Sequence, residues 1–226
     1  MTRTFTFGQD GFYHIYNRGT EKRDIFNNKN DYERFLSLLY LCNRPSPADL
    51  KLQGPTLYEI NALNKEEPIT TIISYCLMPN HFHLILKETT EGGISKFMQK
   101  ILTGYTMYFN KRYERTGALF QGRFKASHVD NDRYFKYLVS YVHLNPIKLM
   151  QPNWKEEGIK NIGAAKAFLN TYKYSSFLDY LNRGRKENIL INKDKIMELS
   201  EKSGDFESNL YDWLQYKTDI LQGPTL

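Results

Sequence analysis

"CLMPNHFHLILKE", residues 76–88, places two histidines at alternate positions of an apolar run. Side chains two apart on a strand share a face, so His81 and His83 lie side by side while Phe82 points the other way. "MPN" (78–80) reads as a turn, and "ITTIISYCLM" (69–78) before it as a second strand. Residues 69–88 are therefore expected to form a hairpin. Two imidazoles on one face suit a metal ion; they equally suit two polar side chains on a half-exposed sheet.

The flanking segments decide the fold class. "GFYHIYNRGT" (11–20) mixes aromatic and β-branched residues and ends in a turn, which predicts a strand. "NDYERFLSLLYLCNR" (30–44) opens on Asn/Asp and repeats apolar residues at Phe35, Leu38, Leu39 and Cys42, which predicts a capped helix. A longer helix is expected over 92–117, with an apolar stripe from Ile94 to Tyr108 and Gly117 as its stop. "ALFQGRFKASHVD" (118–130) reads as a strand with Arg123 and Lys125 on one face. "NDRYFKYLVSYVHLNP" (131–146) reads as a helix capped by Asn or Asp and stopped by Pro146.

The first six elements run βαββαβ. That order predicts an α+β, ferredoxin-like sandwich, an antiparallel sheet with helices on one face, followed by the 131–146 helix. Residues 1–150 would form this domain. Residues 151–226 are more polar and are expected to form a C-terminal helical appendage, with helices near 157–170 and 190–221. Between helix and hairpin, 44–68 contains Pro45, Pro47, Pro55 and Pro68 and reads as an irregular excursion. "LQGPTL" occurs at both 52–57 and 221–226; nothing in the sequence accounts for it.

Composition narrows the partner. A net charge of +6 favours a polyanion, nucleic acid first, over a membrane surface. No apolar run approaches the ~18 residues of a membrane span, and the N-terminus lacks the apolar core of a secretory signal. Cys42 and Cys76 share no metal-ligand spacing and do not suggest a disulfide framework, which fits a reducing cytoplasm.

The 131–146 helix adds chemistry to the histidine pair. Tyr141 and Asn145 are four apart, on one face and about one turn from each other. Asn145 offers an amide oxygen as a third ligand, and Tyr141 a phenol able to act as a nucleophile. Tyr137 is the rival nucleophile, one turn earlier. A neutral phenol is a poor nucleophile, its ordinary pKa being about 10. A divalent ion between two imidazoles and an amide would polarise a phosphodiester for attack. Against these readings, Tyr141 also fits as a core aromatic, and Asn145 as a residue that merely ends its helix. His14, on the first strand, could approach the site as a phosphate donor or proton carrier, or be structural. Arg18, Arg23, Arg123 and Lys125 are candidate nucleic-acid contacts, the alternative being a solvated charged face.

"YHIYNRG" (13–19), "MPNHFHLIL" (78–86), "GALFQGRFKASHVD" (117–130) and "YLVSYVHLNPIK" (137–148), in this order, resemble the single-tyrosine HUH transposases. HUH denotes histidine-hydrophobic-histidine, here His81-Phe82-His83. The branch most similar is the REP-associated tyrosine transposases, and the likeness runs over roughly 11–180, "YKYSSFLDYL" (172–181) included. The resemblance implies a metal-dependent endonuclease and strand transferase acting on single-stranded DNA beside hairpin elements. It implies Tyr141 as the nucleophile, leaving a 5′-phosphotyrosine and a free 3′-hydroxyl. It implies His81, His83 and Asn145 as ligands of Mg²⁺ or Mn²⁺. Monomeric and homodimeric forms both occur in such a family, so the tyrosine could serve its own histidine pair or a partner's. A domesticated protein that binds DNA hairpins without cleaving them is the alternative.

Overall fold

The computed structural model describes residues 6–47 and 66–201, together with 206 and 210. The repeated "LQGPTL" and most of the 44–68 excursion lie outside the described residues. Strand β1 (Phe12–Arg18) is followed by helix α1 (Lys29–Leu41), the hairpin of β2 (Thr70–Met78) and β3 (His81–Glu88), helix α2 (Gly93–Arg112), β4 (Lys125–Val129) and helix α3 (Asp132–Leu144). The four strands make one antiparallel sheet in the order β2-β3-β1-β4. The expected α+β sandwich is the observed fold.

The period-2 pattern of the strands sorts two cores onto the two faces. On one face, Tyr13, Ile15, Tyr75, Leu77, Phe82, Leu84 and Leu86 pack with apolar residues of α1 and α2. On the other, Ile73, Cys76, Met78, Ile85 and Val129 pack under Phe135, Leu138, Val139 and Val142 of α3. His81 and His83 belong to this second face, so α3 closes over them. They are not half-exposed: His83 is 0% and His81 7% accessible.

Local chemistry sets the element ends. α1 begins at an Asn28 cap, two residues before the expected start; the Asn28 side chain accepts from the Asn30 N–H, and Asp31 completes a capping box. The Asn131 side chain accepts from the Tyr134 N–H at 2.8 Å and starts α3. Pro146 falls in a 3-10 turn, Asn145–Leu149, directly after that helix. Two expectations fail. α2 ends at Arg112, not Gly117, because Glu114 already turns the chain into the left-handed region (φ 48). Residues 118–124 are not a strand: Gly122 at φ 73 interrupts the run, and only Lys125–Val129 pairs with β1. Arg123 is therefore on an exposed bend instead of sharing a strand face with Lys125.

β2 is an edge strand, and residues 172–180 cover it. Leu77 N–H donates to the Tyr174 carbonyl at 2.9 Å, and Ser176 N–H to the Tyr75 carbonyl at 3.0 Å. The Tyr172 and Tyr180 hydroxyls donate to the Leu77 and Ile73 carbonyls. Pairing of this kind removes the exposed backbone edge on which chains aggregate. At its centre, the Ser176 hydroxyl accepts from the Tyr75 N–H at 2.9 Å and lies 2.8 Å from His143 Nε2 of α3. One buried hydroxyl thus ties edge strand, cover and helix together. Ser176→Ala would strand the Tyr75 N–H and the imidazole, with an expected loss of about 1–3 kcal/mol in a urea unfolding titration. A loss under a few tenths would show that water replaces the hydroxyl.

Candidate metal and nucleophile site

The site is assembled within one chain from β1, β3, α3 and the turn after it. In the strand register, Arg18 lies opposite His81 and Tyr16 opposite His83, so these four side chains share a face. The two imidazole centroids are 5.1 Å apart, with their planes at 90°. From α3, the Tyr141 ring stands edge-on to His83 at 5.5 Å and to His14 at 6.1 Å. Tyr141 is 2% accessible.

Hydrogen bonds determine which nitrogen each histidine presents. The hairpin turn is pinned from outside: the Ile25 and Phe26 N–H groups donate to the Pro79 carbonyl, and the Asn80 amide NH₂ donates to the Lys22 carbonyl at 3.1 Å. That leaves the Asn80 amide oxygen facing His81 Nδ1 at 2.6 Å, so Nδ1 carries the proton and donates. His81 Nε2 then has a bare lone pair. His83 Nδ1 lies 2.9 Å from His14 Nε2; with the proton on His83, its Nε2 is bare too. The Asn145 NH₂ donates to the Tyr141 carbonyl at 3.3 Å, which frees the amide oxygen. The Asn145 amide also reaches the His81 ring and the Tyr141 hydroxyl, though without a hydrogen bond of ordinary geometry to either.

Among the described residues, His81 Nε2, His83 Nε2 and Asn145 Oδ1 are buried polar atoms without a hydrogen-bond partner. Three such atoms in one cluster, all lone-pair donors, match what a small cation needs. No three His, Cys, Asp or Glu side chains among the described residues group as an ion cage.

Electrostatics keep these imidazoles neutral. Burial first, then Lys148, Arg18 and Lys155, lowers the His81 pKa to about 3, Asn145 opposing. Burial, then Lys155, lowers that of His14 to about 3. His83 is held well below its usual value by burial, then by its histidine neighbours and the two lysines. Burial raises the Tyr141 phenol above its usual pKa, and the Asn145 amide partly offsets this.

The other expected residues separate into two groups. His14 is in the cluster as the partner of His83, and Arg18 flanks His81. Tyr137 is buried beside Tyr141, its ring 6.2 Å away and 6.0 Å from Tyr134. Arg23 is held by its own turn, donating to the Thr20 carbonyl and pairing with Glu21. Arg123 is exposed, and Lys125 stands on the edge strand 5.8 Å from the centroid of Tyr16. His143, near Tyr141 in sequence, serves the Ser176 tie instead. Asn80 was legible only as a turn residue. Lys148 and Lys155, whose charges bear on both histidines, had no sequence signal at all.

Residues 10–145 match the family model described as "Transposase IS200 like", and the chain belongs to that family. A solved structure described as the REP-associated tyrosine transposase bound to a REP hairpin is similar to it. That match covers 81% of this chain and 86% of the other, at 15% identity and a TM-score of 0.49. No curated protein matches. Among the described residues, no helix is long and apolar enough to cross a membrane.

The burial of neutral histidines has a pH consequence. Folded, His14, His81 and His143 protonate near 3, against 6.5 when free. The unfolded chain therefore binds more protons between these values. Stability is full above about 6.5 and declines as pH falls toward 3, at ~1.4 kcal/mol per pH unit for each such ring. Long-range nitrogen–proton NMR at pH 5 should show these rings still neutral, with His81 protonated on Nδ1. A His81 resonance titrating near 6.5 would contradict the geometry.

Proposed function

We propose that this transposase-family chain is a single-tyrosine endonuclease and strand transferase for single-stranded DNA, acting beside hairpin elements, of the REP-associated kind that its motifs resemble. The observation carrying this reading is the juxtaposition of three unclaimed ligand atoms, His81 Nε2, His83 Nε2 and Asn145 Oδ1, with the Tyr141 phenol. These three atoms would hold Mg²⁺ or Mn²⁺. The ion, when bound, would supply Lewis-acid charge to the scissile phosphate.

The chain's own groups do the rest. The Tyr141 oxygen attacks the phosphorus, forming a P–O bond to the phenol as the bond from phosphorus to the 3′-oxygen breaks. The phenol gives its proton to solvent water, and the departing 3′-oxygen takes a proton from water to become a free 3′-hydroxyl. The DNA is left joined through its 5′-phosphate to Tyr141. Attack by a 3′-hydroxyl reverses these changes, so one phosphodiester is exchanged for another without ATP. Asn145 acts on both sides of the step, since its amide faces His81 and favours the ionised phenol. Asn80 and His14 orient the imidazoles by holding Nδ1.

A library of single-stranded oligonucleotides with a fixed hairpin stem and randomised flanks, incubated with Mn²⁺, tests the reading. The expected result is an SDS-resistant protein–DNA adduct that Tyr141→Phe lacks. Hairpin binding with no adduct from either protein would favour the non-cleaving alternative. An adduct undiminished in Tyr141→Phe would move the nucleophile, with Tyr137 next to test.

The orienting role has its own measurement. His14→Ala and Asn80→Ala are expected to weaken Mn²⁺ binding by about 10–100-fold in a calorimetric or EPR titration, with both ligating histidines intact. Unchanged affinity would show that the Nδ1 contacts do not tune the site.

A further inference from the structure

Past the family-matched residues, the chain returns to the site. After the 3-10 turn, the Gln151 N–H donates to the Ile147 carbonyl at 2.8 Å and the Trp154 N–H to the Gln151 carbonyl at 3.2 Å. The short helix α4 (Trp154–Glu157) follows. Trp154 is buried with Leu144, Ile147 and Phe177, which anchors α4 and sets the direction of its neighbour Lys155. The Lys155 Nζ lies 4.0 Å from the centroid of the Tyr141 ring, on the face of the ring where an ammonium is attracted. Lys148 is three residues past Asn145, in the 3-10 turn, and its charge bears on both His81 and His83.

These two lysines are half-buried, and no carboxylate pairs with either among the described residues. Burial first, then Lys148, lowers the Lys155 pKa to about 8, with Glu156 opposing. Burial and the Arg18 charge lower that of Lys148, with Glu156 again opposing. Partly desolvated cations, the Lys148 charge acting on Lys155 and the Arg18 charge on Lys148, form an arrangement that an anion relieves. The acidic side chain nearest in sequence, Glu156, does not reach either within ion-pair distance.

We infer that Lys155, with Lys148 beside it, holds the scissile phosphodiester of the DNA against Tyr141. The inference rests on the function proposed above and adds to it the residues that seat the reacting group. A lysine ammonium binds phosphate as a point charge with three donors. Placed over the nucleophile's ring, Lys155 also neutralises the charge that accumulates on the phosphate oxygens as the phenol oxygen bonds to phosphorus. Arg18, opposite His81 on β1, would extend the same positive lining along the DNA backbone.

The test uses the full chain and one oligonucleotide recovered as an adduct from the hairpin library, with Mn²⁺. Lys155→Met is expected to lower the adduct-forming rate at saturating DNA by about 100-fold. Affinity for the bare hairpin stem should change less than about twofold, because the stem has no scissile phosphate, and Lys155→Arg should recover most of the rate. A second readout needs no turnover. In a Tyr141→Phe background, replacing the scissile phosphate alone by a neutral methylphosphonate should weaken binding, and Lys155→Met should abolish that penalty. A saturated rate within twofold of wild type, or a methylphosphonate penalty indifferent to Lys155, would overturn the inference and leave the proposed function standing. Absence of any Tyr141 adduct from the unmodified protein would remove both.

Discussion

The structure depends on a tension at one place. A largely apolar sheet face buries His81 and His83, whose Nε2 lone pairs, like the amide oxygen of Asn145 at the end of α3, have no partner. An unmet buried polar atom costs about 1–3 kcal/mol, and chains under selection for stability alone would fill such positions with aliphatic side chains. Here the surroundings reinforce the arrangement. The Pro79–Asn80 turn is clamped by the 19–26 segment, and Asn80 and His14 take up the Nδ1 positions. α3 lays Tyr141 and Asn145 against the same histidines. Buried polar groups left without a partner and held this firmly are what the proposed ligand site would require.

Much of this was legible because local periodicity is a local property. The alternation in "HFHLILKE" fixed which face carries His81 and His83, and the spacing of Tyr141 and Asn145 fixed their shared helix face. The βαββαβ order then allowed few topologies. What stayed hidden depends on single backbone conformations and on contacts between distant residues. The end of α2 turned on Glu114 adopting a left-handed conformation, whereas glycine was the expected stop. The strand expected over 118–130 shortened because Gly122 breaks the pairing with β1, and Arg123 left the strand with it. His83 needs His14, sixty-nine positions away, to set its proton, and no spacing rule links them.

The region past residue 150 was the least legible part and contributes most from a distance. Its polar composition suggested an appendage. In the structure, residues 172–180 cover the exposed edge of β2, and Ser176 joins that edge to α3 through His143. α4, anchored by Trp154, carries Lys155 to the Tyr141 ring. The same stretch of chain therefore closes the sheet and supplies positive charge to the centre of the site.

The most direct test of the account is the position of a bound ion. Crystals soaked in Mn²⁺ and measured at the manganese absorption edge should show one anomalous peak coordinated by His81 Nε2, His83 Nε2 and Asn145 Oδ1, beside the Tyr141 hydroxyl. No peak there at saturating Mn²⁺, or a peak that leaves the Asn145 oxygen uncoordinated, would contradict it.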